Sequence, residues 1–179
     1  DASMPWGSSA GEAEALVDEL RLLGARALAS EADLAEAATP ARLFDQVEAA
    51  LGPVSALVLS HCQSVDSAIL DTTVESFDRH MAINARATWL LVREFGQRYR
   101  GPHGAGRIIA ITSDHTAFNL PYGASKGALE RIVLAAAREF AALGVTANVI
   151  NPGAVDPGWM SAEFMAQIAA QTPLGRVGQ

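Results

Sequence analysis

Basic residues are scarce: 13 lysines and arginines face 20 aspartates and glutamates, and nowhere do they cluster. A net charge of −7 and a pI of about 5.0 argue against nucleic acid or an anionic membrane as the main partner, since both are bound through a basic surface. Cysteine occurs once, as Cys62, which excludes an internal disulfide and fits a reducing compartment. No apolar run approaches the roughly 18 residues of a membrane span. No signal-peptide pattern is found either, so the cytoplasm is the expected setting. His61, His80, His103 and His115 show no ligand spacing with one another or with Cys62, and no metal site is expected. Repeats and low-complexity stretches are also missing.

Half of the 179 residues are hydrophobic, enough for one domain over residues 1–179 with a sizeable core. Residues 1–11 read as a loop, with Trp6 as an anchor. Helices are expected over 12–23, closed by Gly24, and over 40–51, with Thr39 as N-cap and Gly52-Pro53 as the stop. Strands are expected at 25–32 (modest), 54–60 (the clearest), 107–113 and 145–150. Further helices should span about 75–100, 122–143 and 161–171, with a loop over 151–159. Strands alternating with helices imply an α/β fold: a doubly wound, Rossmann-like parallel sheet with helices on both faces. Ligands of such sheets lie beyond the carboxyl ends of the strands, where Ser60, Ser113 and Asn151 all fall. The helices at 75–100 and 122–143 are apolar on more than one side. One face would meet the sheet and another a partner chain, so a homodimer or homotetramer through these two helices is expected.

The stretch Leu120-Pro121-Tyr122-Gly123-Ala124-Ser125-Lys126 carries the chemistry. Four-residue spacing at the head of a helix puts a phenol and an ammonium on one face, one turn apart. A phenol is a poor acid at neutral pH. An ammonium about 4 Å away would favour the phenolate by roughly 4 kcal/mol at an effective dielectric near 20, or about three pKa units, within reach of general acid–base catalysis. Ser113, at the end of the preceding strand, could hold a substrate oxygen. Taken alone, Tyr-x-x-x-Lys is a weak signal.

It does not stand alone. Ile111-Thr112-Ser113, Tyr122-Gly-Ala-Ser-Lys126, Asn84 within Met81-Ala-Ile-Asn-Ala-Arg, and Asn151-Pro152-Gly153 resemble, in order and spacing, the short-chain dehydrogenase/reductase family, from about Glu12 to the C-terminus. The resemblance implies an NAD(P)-dependent oxidoreductase moving a hydride between nicotinamide and a small carbonyl or alcohol substrate. Tyr122 would be general acid/base, Lys126 would lower its pKa and hold the cofactor ribose, Ser113 would steady the oxygen, and Asn84 would hold a water extending the proton path. Asp33 and Leu34 would lie beside the adenine. Ser60, His61 and Cys62 would flank the cofactor, and Pro152, Gly153 and Val155 would meet the nicotinamide.

Several departures accompany this likeness. Ser60-His61-Cys62 stands where the family has Asn-Ala-Gly, Pro157 where it favours a cofactor-contacting threonine, and the Ser113–Tyr122 loop is about four residues shorter. That shortening brings His115, Phe118 and Asn119 near the pocket. His61 is expected to be a packed loop residue and Cys62 to be buried. The sequence contains no Gly-x-x-x-Gly-x-Gly turn for the pyrophosphate, and the family's last strand has no counterpart; in the strand order that the family implies, an apolar edge near Val54 is left bare. The chain is therefore expected to be an internal fragment, or a degenerate relative that binds dinucleotide weakly or not at all. The rival to the enzyme is a non-catalytic oligomeric scaffold on the same fold. A dehalogenating branch is disfavoured by Lys126, because that branch resembles Tyr-x-x-x-Arg. Substrate identity and coenzyme preference are not legible.

Overall fold

The computed structural model describes residues 10–156, 158 and 160–178; the loop expected around Trp6 and the readings of Pro157 and Trp159 lie outside them. Three short runs rich in aliphatic residues form parallel strands: β1 (Ala56–Leu59), β2 (Arg107–Ile111) and β3 (Thr146–Ile150). They lie in the order β1-β2-β3, with Val58 opposite Ile109 and Ile109 opposite Asn148. Parallel neighbours need long crossovers. The first is a nearly unbroken helical stretch: α3 (Val74–His80), a π turn (Met81–Arg86) and α4 (Ala87–Arg98). The second is α5 (Leu120–Glu139). Thr73 starts α3 by accepting the Ser76 amide at 3.1 Å, as a good N-cap does.

Burial alternates along the strands. Leu57, Leu59, Ile108, Ala110, Ala147 and Val149 face α4 and α5 and join Phe95, Leu129 and Val133 in the core. Each fully buried side chain of this size contributes roughly 1.5–3 kcal/mol relative to exposure. The helices approach closely at Gly96, where an added Cβ would sit 2.3 Å from the Phe140 ring. Behind them, α2 (Thr39–Leu51), which follows α1 (Ala10–Leu22) in the chain, packs on α4, and Arg98 bonds to Asp45, Glu48 and Glu94.

The parallel, Rossmann-like sheet is as expected, while four details differ. Residues 25–32 form no strand: they run exposed, without a neighbour to supply ladder hydrogen bonds. Thr39 does not cap α2; it lies inside the helix, where its hydroxyl accepts from Arg42 at 2.8 Å. Among the described residues, only one sheet face is well covered. Val58 is 61% exposed, and Ile150 is also largely open. Lastly, the helix expected over 75–100 is interrupted by the π turn, with Asn84 inside it.

Candidate active site

β1, β2 and β3 end at Leu59, Ile111 and Ile150, so Ser60, Ser113 and Asn151 do sit at strand tips. Behind these tips lies a knot of buried polar side chains. Lys126, the only lysine in the chain, is 1% exposed and donates to the Ile111 carbonyl at 2.7 Å. Its Nζ lies 5.6 Å from the Tyr122 ring centroid, as one helical turn of separation dictates. Tyr122 is half-buried, with the Ser113 side chain close enough to lower its pKa. Serine, tyrosine and lysine therefore converge, and the shortened loop still delivers Ser113.

The electrostatics differ from the sequence expectation. Burial pushes the Tyr122 phenol up from its usual value, and the charge of a Cys62 thiolate would push it further; the neighbouring Ser113 side chain opposes both. Lys126 does not bring it down. The ammonium is held by the Ile111 carbonyl and lies over the face of the ring rather than at the hydroxyl. Burial likewise lowers the Lys126 pKa, with Cys62 opposing, because a desolvated ammonium is disfavoured.

Asn84 is 0% exposed. Its Oδ1 accepts the Gln63 amide at 2.7 Å, and its Nδ2 donates to the Gln63 carbonyl at 2.9 Å and to Ser125 Oγ at 2.8 Å. Ser125 in turn donates to the Tyr122 carbonyl at 2.8 Å. A water relay of the kind implied for Asn84 must pass beside this side chain rather than through it, since both ends of its amide are occupied. Its position explains the π turn: an amide bonded on both ends pins the widened turn against the loop after β1.

That loop forms one wall of a cleft of about 670 Å³, lined by Glu31, Ala32, Asp33, Leu34, His61, Cys62, Gln63, Arg79 and Ile83. Four expected cofactor contacts, Asp33, Leu34, His61 and Cys62, thus share one cavity. His61 is a packed residue whose Nε2 donates to the Ile83 carbonyl at 3.1 Å. Burial first, then the Lys126 cation, lowers its pKa to about 4, against the bond to Ile83. Cys62 is exposed rather than buried: Asn84 grips Gln63 and His61 turns inward, leaving the residue between them facing out. Arg79 and Gln63 escaped the sequence reading. Arg79 had a signal, lying one turn before Ile83 on the same helical face. Gln63 had none, because its backbone is what engages.

Beyond β3, Asn151 accepts the Gly153 amide at 3.0 Å, and Gly153 takes φ +65°, where glycine is favoured. Residues 154–156 pair with the chain end: Gly178 donates to the Ala154 carbonyl and accepts the Asp156 amide, both at 2.9 Å. Val155's own N–H and C=O take no part in either bond. Opposite, His115 stands edge-on to Tyr122 at 6.3 Å, Phe118 is exposed at φ +62°, and Asn119 is buried. The loop lies so close to α5 that a Cβ at Gly123 would meet the His115 carbonyl at 2.2 Å. Among the described residues, no cluster of three or more side chains could hold a metal ion, and no helix is long and apolar enough to cross a membrane.

The sequence matches the family described as enoyl-(acyl carrier protein) reductase over residues 7–179. It is 32% identical over 178 residues to an uncharacterized oxidoreductase, YjdA, of Bacillus subtilis, covering 97% of this chain and 71% of that protein. It is 32% identical over 173 residues to an NADPH-dependent aldehyde reductase-like protein, chloroplastic, of Arabidopsis thaliana, covering 90% and 64%. It is 37% identical over 140 residues to a short-chain type dehydrogenase/reductase of Picea abies, covering 74% and 51%. The chain spans 51% to 71% of the length of these three relatives. Among solved structures, a blue fluorescent protein from a metagenomic library in complex with NADPH superposes with a TM-score of 0.85 at 34% identity, over 96% of this chain and 72% of that one. A short-chain dehydrogenase from Burkholderia cenocepacia in complex with NADP gives 0.85 at 27% identity, over 97% and 72%. With a family match across nearly its whole length and about one-third identity to named members, this chain belongs to the short-chain dehydrogenase/reductase family.

Proposed function

We propose that this chain carries the reactive half of an NADP-linked oxidoreductase that interconverts a small carbonyl compound and its alcohol. The observation that carries this reading is the convergence of the Ser113 and Tyr122 side chains at the β2 tip, backed by buried Lys126 and close to a cleft containing Asp33, Leu34, His61 and Cys62. The donor set fits a dinucleotide. Asp33 and Leu34 would border the adenine, Ser60, His61 and Cys62 the middle of the cofactor, and Pro152, Gly153 and Val155 the nicotinamide. Lys126 would hold the ribose, and Arg79 offers a cation to the phosphate-bearing half.

The cofactor supplies or accepts the hydride at the substrate carbon. The protein's own residues handle the proton. Ser113 donates to the substrate oxygen and fixes it beside the phenol. Tyr122 releases its hydroxyl proton to that oxygen as the C–H bond forms, and recovers it in the reverse direction. Burial raises the Tyr122 pKa, so the phenol enters the reduction as the proton donor. Asn84 and Ser125 act from behind as positioning residues. A second copy of this chain would pack on the outer face of α4 and α5, where Trp89 is 48% exposed, Leu134 is also open, and a groove of about 410 Å³ runs between the helices. The free, exposed Cys62 thiol suits the reducing cytoplasm. The non-catalytic reading predicts no cofactor affinity. NADPH and NADH fluorescence titration therefore decides: saturable binding supports the enzyme, and its absence with either coenzyme removes it.

A further inference from the structure

The loop leaving β1 has no regular secondary structure, yet its backbone is fastened at alternate residues. Asn84 holds Gln63 by both backbone groups. The Val65 amide donates to His80 Nε2 at 3.0 Å, and the Ser67 carbonyl accepts the Leu120 amide at 3.1 Å. A two-residue period is what an extended segment shows when one side of it lies on a support. Three residues of this loop, His61, Cys62 and Gln63, form a wall of the 670 Å³ cleft.

His80 is the least expected of these anchors. It is 0% exposed on α3 and does not line the cleft. Its Nδ1 lies 2.7 Å from the Ser76 carbonyl. A carbonyl can only accept and a backbone amide can only donate, so the ring is neutral, with the proton on Nδ1 and the lone pair of Nε2 aimed at Val65. Few other side chains offer a donor one turn back and an acceptor at the far end from one buried position. Without that acceptor the Val65 amide is left unpaired, and the loop must open to find water.

We propose that His80 is a positioning residue for the cofactor cleft, its neutral imidazole fixing the loop at Val65 so that His61, Cys62 and Gln63 are presented to the dinucleotide. The consequence for coenzyme affinity rests on the function proposed above; the consequence for the loop does not.

Cys62 reports on this directly, since it is the only thiol and it is exposed. The experiment compares the intact protein with His80→Phe and His80→Gln by amide hydrogen exchange over 63–67, by the rate of Cys62 labelling with a thiol reagent, and by NADPH kinetics. In His80→Phe, exchange across the loop should rise by about tenfold or more, as for loss of one structural hydrogen bond, while α5 exchange stays unchanged. Cys62 labelling should change rate, and the KM for NADPH should rise by more than kcat falls. The glutamine Oε1 can accept the Val65 amide, so His80→Gln should recover most of both. Should His80→Phe not fold, Val65→Pro removes the same amide from the loop side and should raise exchange at 63, 64, 66 and 67. Unchanged loop exchange in a folded His80→Phe or Val65→Pro protein overturns the proposal, as does a His80→Gln variant as impaired as His80→Phe. If loop exchange responds but the unsubstituted protein binds no NADPH, the positioning of the loop stands and the cofactor reading falls.

Discussion

Two buried regions lie side by side under α5 and are built on opposite principles. Beneath the middle of the helix, Leu129 and Val133 meet Phe95 and Ile108 in a hydrophobic core. Beneath its first turns, Ser125 and Lys126 meet Asn84 and the Gln63 and Ile111 backbones through hydrogen bonds. The apolar region tolerates substitutions that keep volume and loses stability in proportion to the volume removed. The polar region is conditional: fully paired it fixes one geometry, while removal of a single partner strands the other. Stability and positioning thus belong to adjacent stretches of the same helix, and substitutions should separate them.

The sharpest separation is Tyr122→Phe. It removes the proton but keeps the ring over which Lys126 lies, so turnover should fall about 10²- to 10⁴-fold, the range of a lost general acid, with the melting temperature nearly unchanged. Steady-state kinetics with thermal denaturation checks both halves. Phe95→Ala is its converse, expected to cost about 3–5 kcal/mol by cavity formation in denaturant unfolding, while activity per folded molecule is retained. Asn84→Ala should do some of each. It leaves the buried Gln63 amide unpaired, at about 1–3 kcal/mol, and lowers turnover through the freed loop; unfolding and kinetics on one sample would show whether the losses travel together.

A further effect, confined to acid solution, is in pH. His61 titrates at about 4 in the folded chain against 6.5 as its ordinary value. Between these values the unfolded chain binds a proton that the folded one does not, so stability from this group falls as pH drops from about 6.5 to 4 and then levels off. Denaturant midpoints for the parent and His61→Asn across that window should converge toward acid pH. Parallel curves would show that His61 is not the group responsible.

The alternating apolar segments at 54–60, 107–113 and 145–150 were readable because continuous aliphatic runs bounded by turn residues have few other uses. Ser113, Tyr122 and Lys126 were readable because a strand end and one helical turn fix their relation locally. The segment 25–32 was misread for want of a partner, since a strand is a relation between segments. The π turn was hidden because its residues keep the apolar spacing of an ordinary helix. Only the Gln63 backbone, 21 residues earlier in sequence, gives Asn84 a reason to widen it. Cys62 was misplaced for the same cause: its exposure follows from what its two neighbours bind.

By itself, the sequence determined the parallel α/β architecture, the family, and the spacing of a serine, a tyrosine and a lysine near one strand tip, because these depend on periodicities of two and 3.6 residues along the chain. Only the tertiary structure decided which way the pKa values of those groups move. Lys126 meets the Ile111 carbonyl instead of the phenol hydroxyl, and burial raises the Tyr122 pKa. A pKa answers to solvent and to neighbours brought from elsewhere in the chain, and no local spacing specifies either.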